Sequence, residues 1–301
     1  MNNLFTSEPL RSQSTATPKA ACRLREQLQA ARDRGWPLLM GVVNITPDSF
    51  SDGGRYLSAE KAIEHALRLE SEGADILDLG GESTRPGAGG VTLDEELKRV
   101  IPVIEAIRRR SGIPLSIDTS KAGVMRAAIE AGADIINDVR ALREPGALAC
   151  AAQLDAAVVL MHMQGQPRTM QENPHYVDVV AQVREFLMER ATACLEAGLE
   201  RGQLILDPGF GFGKNLQHNL DLLANLGTLA LIGWPLLVGV SRKSMIGAIL
   251  NRVVNDRVHA SVALALCAAQ RGAAILRVHD VQATCDALRV SARVAASETC
   301  G

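Results

Sequence analysis

The sequence predicts a parallel (β/α)8 TIM barrel, and three observations predict it. Eight short apolar runs alternate with longer amphipathic stretches from residue 38 onward. Each run ends on polar residues. Aromatic residues make up only 3% of the 301-residue chain, which leaves the interior to Ala, Val, Leu and Ile, as suits strands buried under helices. The length fits one such barrel, expected as a single domain over 36–295, behind an N-terminal extension of residues 1–35 that is partly disordered or helical.

The elements follow in chain order. The opening "MNNLFTSEPLRSQSTATPKA" is rich in Ser, Thr and Pro and lacks the apolar centre of a signal peptide, so it reads as a disordered lead-in. "LLMGVVN" (38–44) is the first strand, and "SAEKAIEHALRLESEGA" (58–74) the first barrel helix, with Ala62, Ile63, Ala66, Leu67 and Leu69 on one face. The next strands are "ADILDLGG" (74–81), "PLSIDTS" (114–120), "ADIINDV" (133–139) and "AAVVLMH" (156–162). "LILDPG" (204–209), "PLLVGVS" (235–241) and "AAILRVH" (273–279) complete the set. Gly73, Gly132 and Gly198 stand where helices should end on a left-handed residue. An open doubly wound sheet is the rival, but no GxGxxG follows the first strand. "GFGFGKN" is no P-loop either, since Asn215 follows Lys214 and the glycine spacing is wrong.

Composition excludes several classes. A net charge of −2 argues against a nucleic-acid-binding surface. The most apolar stretch, 226–240, is too short for a membrane span and is broken by Gly and Pro. Six cysteines without a CxxC pair read as free thiols of a cytoplasmic protein.

In this fold the C-terminal ends of the strands carry the active site. Those ends hold Asn44, Glu82 with Ser83, Asp118, Asn137 with Asp138, His162, Asp207, Ser241 with Lys243, and Arg277 with His279. Asp118, Asn137 and Asp207 offer acceptors and one amide, suited to a flat heterocycle read edge-on. Arg85, Lys243, Arg277 and His279 offer donors and positive charge, with Asn44 a neutral oxygen. That set suits a phosphate or pyrophosphate whose oxygens are bridged by Mg2+ with few protein ligands. Each residue has a plainer reading. Asp118 or Asn137 could cap the helix that follows, and Arg277 and His279 could form surface pairs. Lys243 could be a Schiff-base nucleophile. His162, with no second ligand at metal spacing, reads as structural.

Longer stretches carry a resemblance. "MGVVNITPDSFSDGG" (40–54), "DLGGESTRPGA" (78–88), "SIDTSKAGVMRAAIEAGADIINDV" (116–139), "LMHMQGQPRTMQENPHY" (160–176), "LILDPGFGFGKN" (204–215), "LLVGVSRKSMIG" (236–247) and "RVHDV" (277–281) closely resemble the dihydropteroate synthase family. The likeness runs in order from about Leu38 to about Val290.

The resemblance implies condensation of p-aminobenzoate with 6-hydroxymethyl-7,8-dihydropterin pyrophosphate, with Mg2+ as cofactor and Asn44 beside the metal. It implies pterin contacts from Asp118, Asn137, Asp207, Lys243 and Arg277, and pyrophosphate contacts from Asn44, Thr84, Arg85, Arg277 and His279. For p-aminobenzoate it implies Phe50, Thr84, Pro86, Phe212 and Ser244. Thr46, Pro47, Asp48 and Phe50 resemble one substrate loop, and Ser83 to Pro86 another. Asp118, Lys243, Arg277 and His279 are the expected catalytic set. Sulfonamides are expected as competitive inhibitors, and a homodimer through 244–270 as the assembly. A corrinoid-dependent methyltransferase would have no use for the pyrophosphate residues, and a non-catalytic pterin binder should have lost Asp48, Arg85 or Lys243.

Overall fold

All eight expected strands form in the computed structural model, which describes residues 19–45, 55–83, 89–166 and 169–298. They are β1 (Leu38–Asn44), β2 (Ile76–Gly80), β3 (Leu115–Asp118), β4 (Ile135–Asp138), β5 (Ala157–Met161), β6 (Leu204–Asp207), β7 (Leu237–Val238) and β8 (Ile275–Val278). The barrel helices are α2 (Arg55–Ser71), α3 (Leu93–Arg108), α4 (Ala122–Glu130), α5 (Ala147–Ala151) and α6 (Val179–Glu196), then α7 (Leu216–Ala224), α8 (Leu226–Ala230), α9 (Ser244–Leu250), α10 (Val258–Ala269) and α11 (Val281–Glu298). Before them, α1 (Lys19–Arg34) takes up part of the N-terminal extension.

Every strand pairing is parallel, in the order β6-β5-β4-β3-β2-β1-β8-β7. A single parallel bridge between Leu206 and Leu236 joins β6 to the β7 side and brings the sheet round into a barrel. β7 is shorter than its apolar run, which opens on Pro235, a residue with no N–H to give the ladder. Local signals set the helix limits. Thr92 and Glu95 form a capping box at the start of α3, and Asp178 caps α6 by accepting from Val180 and Ala181. Gly73, Gly132 and Gly198 all have positive φ, as expected of helix ends.

The core is in two layers. Between sheet and helices lie side chains such as Leu39, Leu77, Ile104, Ile117, Leu160 and Leu206, all fully buried. Inside the barrel, Met40, Ile76, Ile135, Val159, Ile205 and Ile275 form a second cluster, and Leu24, Leu28 and Ala31 of α1 pack into it. With these apolar side chains filling the lower barrel, the polar residues are confined to the opposite end.

Candidate active site

Successive inward-facing residues on a strand are two apart. That spacing lifts Asp78 above Ile76, Asn137 above Ile135, Asp207 above Ile205 and Arg277 above Ile275, so a polar layer lies on the apolar one. Arg277 is the hub. Its Nε donates to Asp78 Oδ2 at 2.6 Å and its Nη2 to Asp118 Oδ2 at 3.1 Å. Asn137 Nδ2 also donates to Asp78 Oδ2, at 3.1 Å. Oδ1 of Asp78 and Oδ1 of Asp118 are buried and accept nothing from the described residues, which leaves both open to ring N–H donors.

Burial pushes the Asp118 carboxyl up to about 7; the charge of Asp78 adds to the effect and Arg277 opposes it. Burial raises Asp207 to about 6, against the pull of the Gly209 N–H that Asp207 Oδ1 accepts at 2.7 Å, and of Lys243. Burial and the Arg277 charge bring Lys243 down to about 8, with Asp207 and Asp118 opposing. Groups of opposite sign, each drawn toward neutrality in one dry pocket, mark a site that can stabilise charge on a ligand.

Asn44 and His279 line a cavity of about 570 Å3 together with His65, Arg68, Arg242 and Asp280. His279 was grouped with the cations on sequence; burial and the neighbouring Arg277 and Arg242 push it down to about 3, so it is neutral. The Ser241 hydroxyl accepts from the His279 backbone N–H at 3.2 Å and lies 3.0 Å from Nδ1. A hydroxyl proton given to Nδ1 leaves Nε2 carrying the ring N–H, ready to donate to an anion. Arg242 is held by Asp280 through Nε at 3.0 Å and Nη2 at 2.5 Å. Asp118 and Ser83 line a further cavity of about 790 Å3.

Phe212 lies against Lys243, whose Nζ is 4.2 Å from the ring centroid. Ser244 is the exposed first residue of α9. His162 is structural: it is buried, meets Phe186 edge-on at 4.9 Å and shares Nδ1 with Lys214 Nζ at 2.9 Å. Asp138 points away from the barrel and staples the following turn by accepting from the backbone of Arg140 and Leu142, both at 2.8 Å. Lys121 joins Glu82 to the fully buried Glu96. Thr46, Pro47, Asp48, Phe50, Thr84, Arg85 and Pro86 lie outside the described residues.

Asp78 was missed on sequence, although "ILD" at 76–78 repeats the "ILD" at 205–207 that ends on Asp207. Among the described residues no three His, Cys, Asp or Glu side chains group to hold a metal ion. Asn44, at the end of β1 beside His279, still fits Mg2+, which keeps most of its water and takes further oxygens from substrate phosphates.

The profile of the family described as pterin binding enzyme matches residues 40–279. A dihydropteroate synthase of Haemophilus influenzae is 55% identical over 258 residues, which cover 86% of this chain and 94% of that protein. The Xanthomonas albilineans dihydropteroate synthase with 4-aminobenzoic acid superposes with a TM-score of 0.83 at 55% identity, covering 87% of this chain and 94% of that one. The same enzyme in complex with 7,8-dihydropteroate gives 0.80 at 53% identity, covering 87% and 95%. A Yersinia pestis dihydropteroate synthase in a sulfonamide drug complex gives 0.83 at 50% identity, covering 88% and 96%.

Proposed function

We propose, on the premise that the chain belongs to the dihydropteroate synthases of the pterin binding enzyme family, that it is a transferase of folate biosynthesis. It condenses p-aminobenzoate with 6-hydroxymethyl-7,8-dihydropterin pyrophosphate, giving 7,8-dihydropteroate and pyrophosphate. The observation that carries the reading is Arg277 forked between two buried carboxylates, each keeping one oxygen for a ligand.

Asp118, Asn137 and Asp207 read the pterin edge, Lys243 reads it from the β7 side, and Arg277 packs along its face. Asn44, Thr84, Arg85, Arg277 and His279 take the pyrophosphate, Arg277 by charge and His279 as a neutral donor. Asn44 would hold Mg2+, which when bound neutralises charge on the phosphate oxygens. As the methylene C–O bond breaks, positive charge grows on the pterin methylene and ionised Asp118 stabilises it. The neutral amine of p-aminobenzoate, held by Phe212 and Ser244 with Phe50, Thr84 and Pro86, then attacks that carbon and loses one proton to the released pyrophosphate or to water. No side chain forms a covalent intermediate, and Lys243 acts through its charge and donors.

The exposed apolar side chains Ile249, Leu250, Val253 and Val254 support a homodimer through 244–270. The described cysteines are free thiols, which supports a reducing, cytoplasmic setting. Among the described residues no helix is long and apolar enough to cross a membrane.

The test is pyrophosphate release by the purified protein with Mg2+ and dihydropterin pyrophosphate, with and without p-aminobenzoate. Release that depends on the amine, with dihydropteroate formed, is expected; pterin binding without release would overturn the reading. Sulfamethoxazole should raise the apparent KM for p-aminobenzoate and leave kcat unchanged. A fall in kcat at unchanged KM would contradict competition for that pocket.

A further inference from the structure

Lys214 is 2% exposed, and its hydrogen bonds go to the loop and to His162 rather than to the polar layer around Arg277. Its Nζ donates to Gly209 O at 2.9 Å and Phe212 O at 3.0 Å, and lies 2.9 Å from His162 Nδ1. With a longer contact to His162 O at 3.5 Å, these acceptors engage all three N–H bonds of an ammonium group. Burial pushes the lysine down to about 7, with Asp207 opposing, and the ring it faces stays neutral because burial and Lys214 itself push His162 down to about 2.

The same loop is gripped from the other side by the segment after β5. Tyr176 donates its hydroxyl to Gly213 O at 2.8 Å, and Gln171 donates to Gly211 O. Asn219 accepts from Gly211 N at 2.7 Å. The loop carbonyls at Gly209, Gly211, Phe212 and Gly213 therefore each accept from a buried or bridging side chain. Backbone packs directly on backbone here: a Cβ at Gly209 would lie 1.9 Å from His162 O, and one at Gly213 would lie 2.4 Å from Gln164 O. The residue projecting from this clamped loop toward the site is Phe212, set against Lys243.

We propose that Lys214, with Tyr176 behind it, is a positioning residue that holds Phe212 as the wall for the second substrate and so sets affinity for p-aminobenzoate separately from that for the pterin. The inference rests on the reading of Phe212 as that wall. The separation follows from the elements used: Asp118 and Asn137 are fixed in β3 and β4, whereas Phe212 sits on a loop held by the side-chain bonds its carbonyls accept and by packing on Val139, Met161, Met163 and Met170.

The experiment compares steady-state constants for both substrates in Lys214→Met, Tyr176→Phe and Phe212→Ala. Lys214→Met keeps the length of the chain and removes the three donors; Tyr176→Phe removes one hydroxyl without changing shape. The expected result is a rise in KM for p-aminobenzoate of about tenfold in Lys214→Met and about threefold in Tyr176→Phe. KM for the pterin should stay within about twofold in both, since Asp118, Asn137, Asp207 and Arg277 sit on strands. If Lys214→Met does not fold, Tyr176→Phe decides alone. Equal rises for both substrates, or a lowered thermal midpoint with both KM values unchanged, would overturn the positioning role. An unchanged KM for p-aminobenzoate in Phe212→Ala would overturn the wall itself, and the proposal with it. A raised value there beside unchanged values in the other two variants would overturn the positioning role alone.

Discussion

Asp118 concentrates the chemistry at the scale of single residues. Its carboxyl is buried, faces Asp78 and touches Arg277, and the charged form is the one that can stabilise a developing cation. Asp118→Asn keeps the shape and removes the charge, so kcat should fall about 10²-fold while KM for the pterin changes by less than about threefold. A steady-state assay separates the two, and an unchanged kcat would remove Asp118 from the cation-stabilising role. The pH profile gives a second reading. With the carboxyl raised to about 7, the ionised form grows as pH rises, so kcat/KM should climb through pH 7 in the native enzyme. In Asp118→Asn that limb should disappear. Asp118, Asn137, Asp207, Lys243 and Arg277 were all legible as polar ends of apolar strands; Asp78 was not. Its strand reads in sequence as 74–81, which puts the apparent end at Glu82, whereas the paired strand stops at Gly80 and its last inward polar residue is Asp78. Apolar patterning shows where a strand is; only register shows which residue is the last to face inward. The lowered pKa of His279 was hidden for a related reason, because its main cause, burial, and the added charge of Arg242 arise only in the fold.

At the scale of elements, the loop between β6 and α7 shows what local sequence can and cannot say. The glycines of "DPGFGFGKN" suit a tight backbone by residue type, whereas the ring contact of Phe212 was implied only by the family resemblance. The clamp from Gln171 and Tyr176 depends on partners about 40 residues away in sequence and has no local signature. Two glycines separate backbone strain from crowding. Gly198, at the end of α6, has φ of +99° and nothing within 4 Å of a would-be Cβ, so Gly198→Ala should cost about 1 kcal/mol. Gly209 has φ of +68° and a carbonyl oxygen 1.9 Å from that point, so Gly209→Ala must displace backbone as well. Its cost should exceed about 3 kcal/mol, through lost packing between the loop and residues 162–164. Urea denaturation of the two variants checks the difference, and equal costs would show that the loop relaxes freely.

For the whole molecule, the barrel divides its labour between two ends. The upper end is polar and buries carboxylates whose unmatched oxygens cost stability; the lower end is apolar and plugged by α1. The plug was only half legible, since residues 1–35 lie outside the family resemblance, although Leu24, Leu28 and Ala31 already stand at helical spacing. Arg34 adds a two-pronged pair with Asp75, at 2.7 and 2.6 Å, tying the end of α1 to the turn before β2. If stability and chemistry are housed at opposite ends, they should separate on mutation. Leu24→Ala and Leu28→Ala each remove a buried side chain from the inner cluster, and each should lower the unfolding free energy by about 2–5 kcal/mol. Neither touches the layer of Asp78, Asn137, Asp207 and Arg277, so kcat and both KM values at 25 °C should stay within about twofold. Arg23→Ala, which opens an exposed pair with Asp134, should change stability by less than about 1 kcal/mol. Denaturation curves and steady-state assays on the same preparations decide the matter. Loss of kcat in step with loss of stability would mean that the lower plug braces the upper site through the strands, and that the two ends are one mechanical unit.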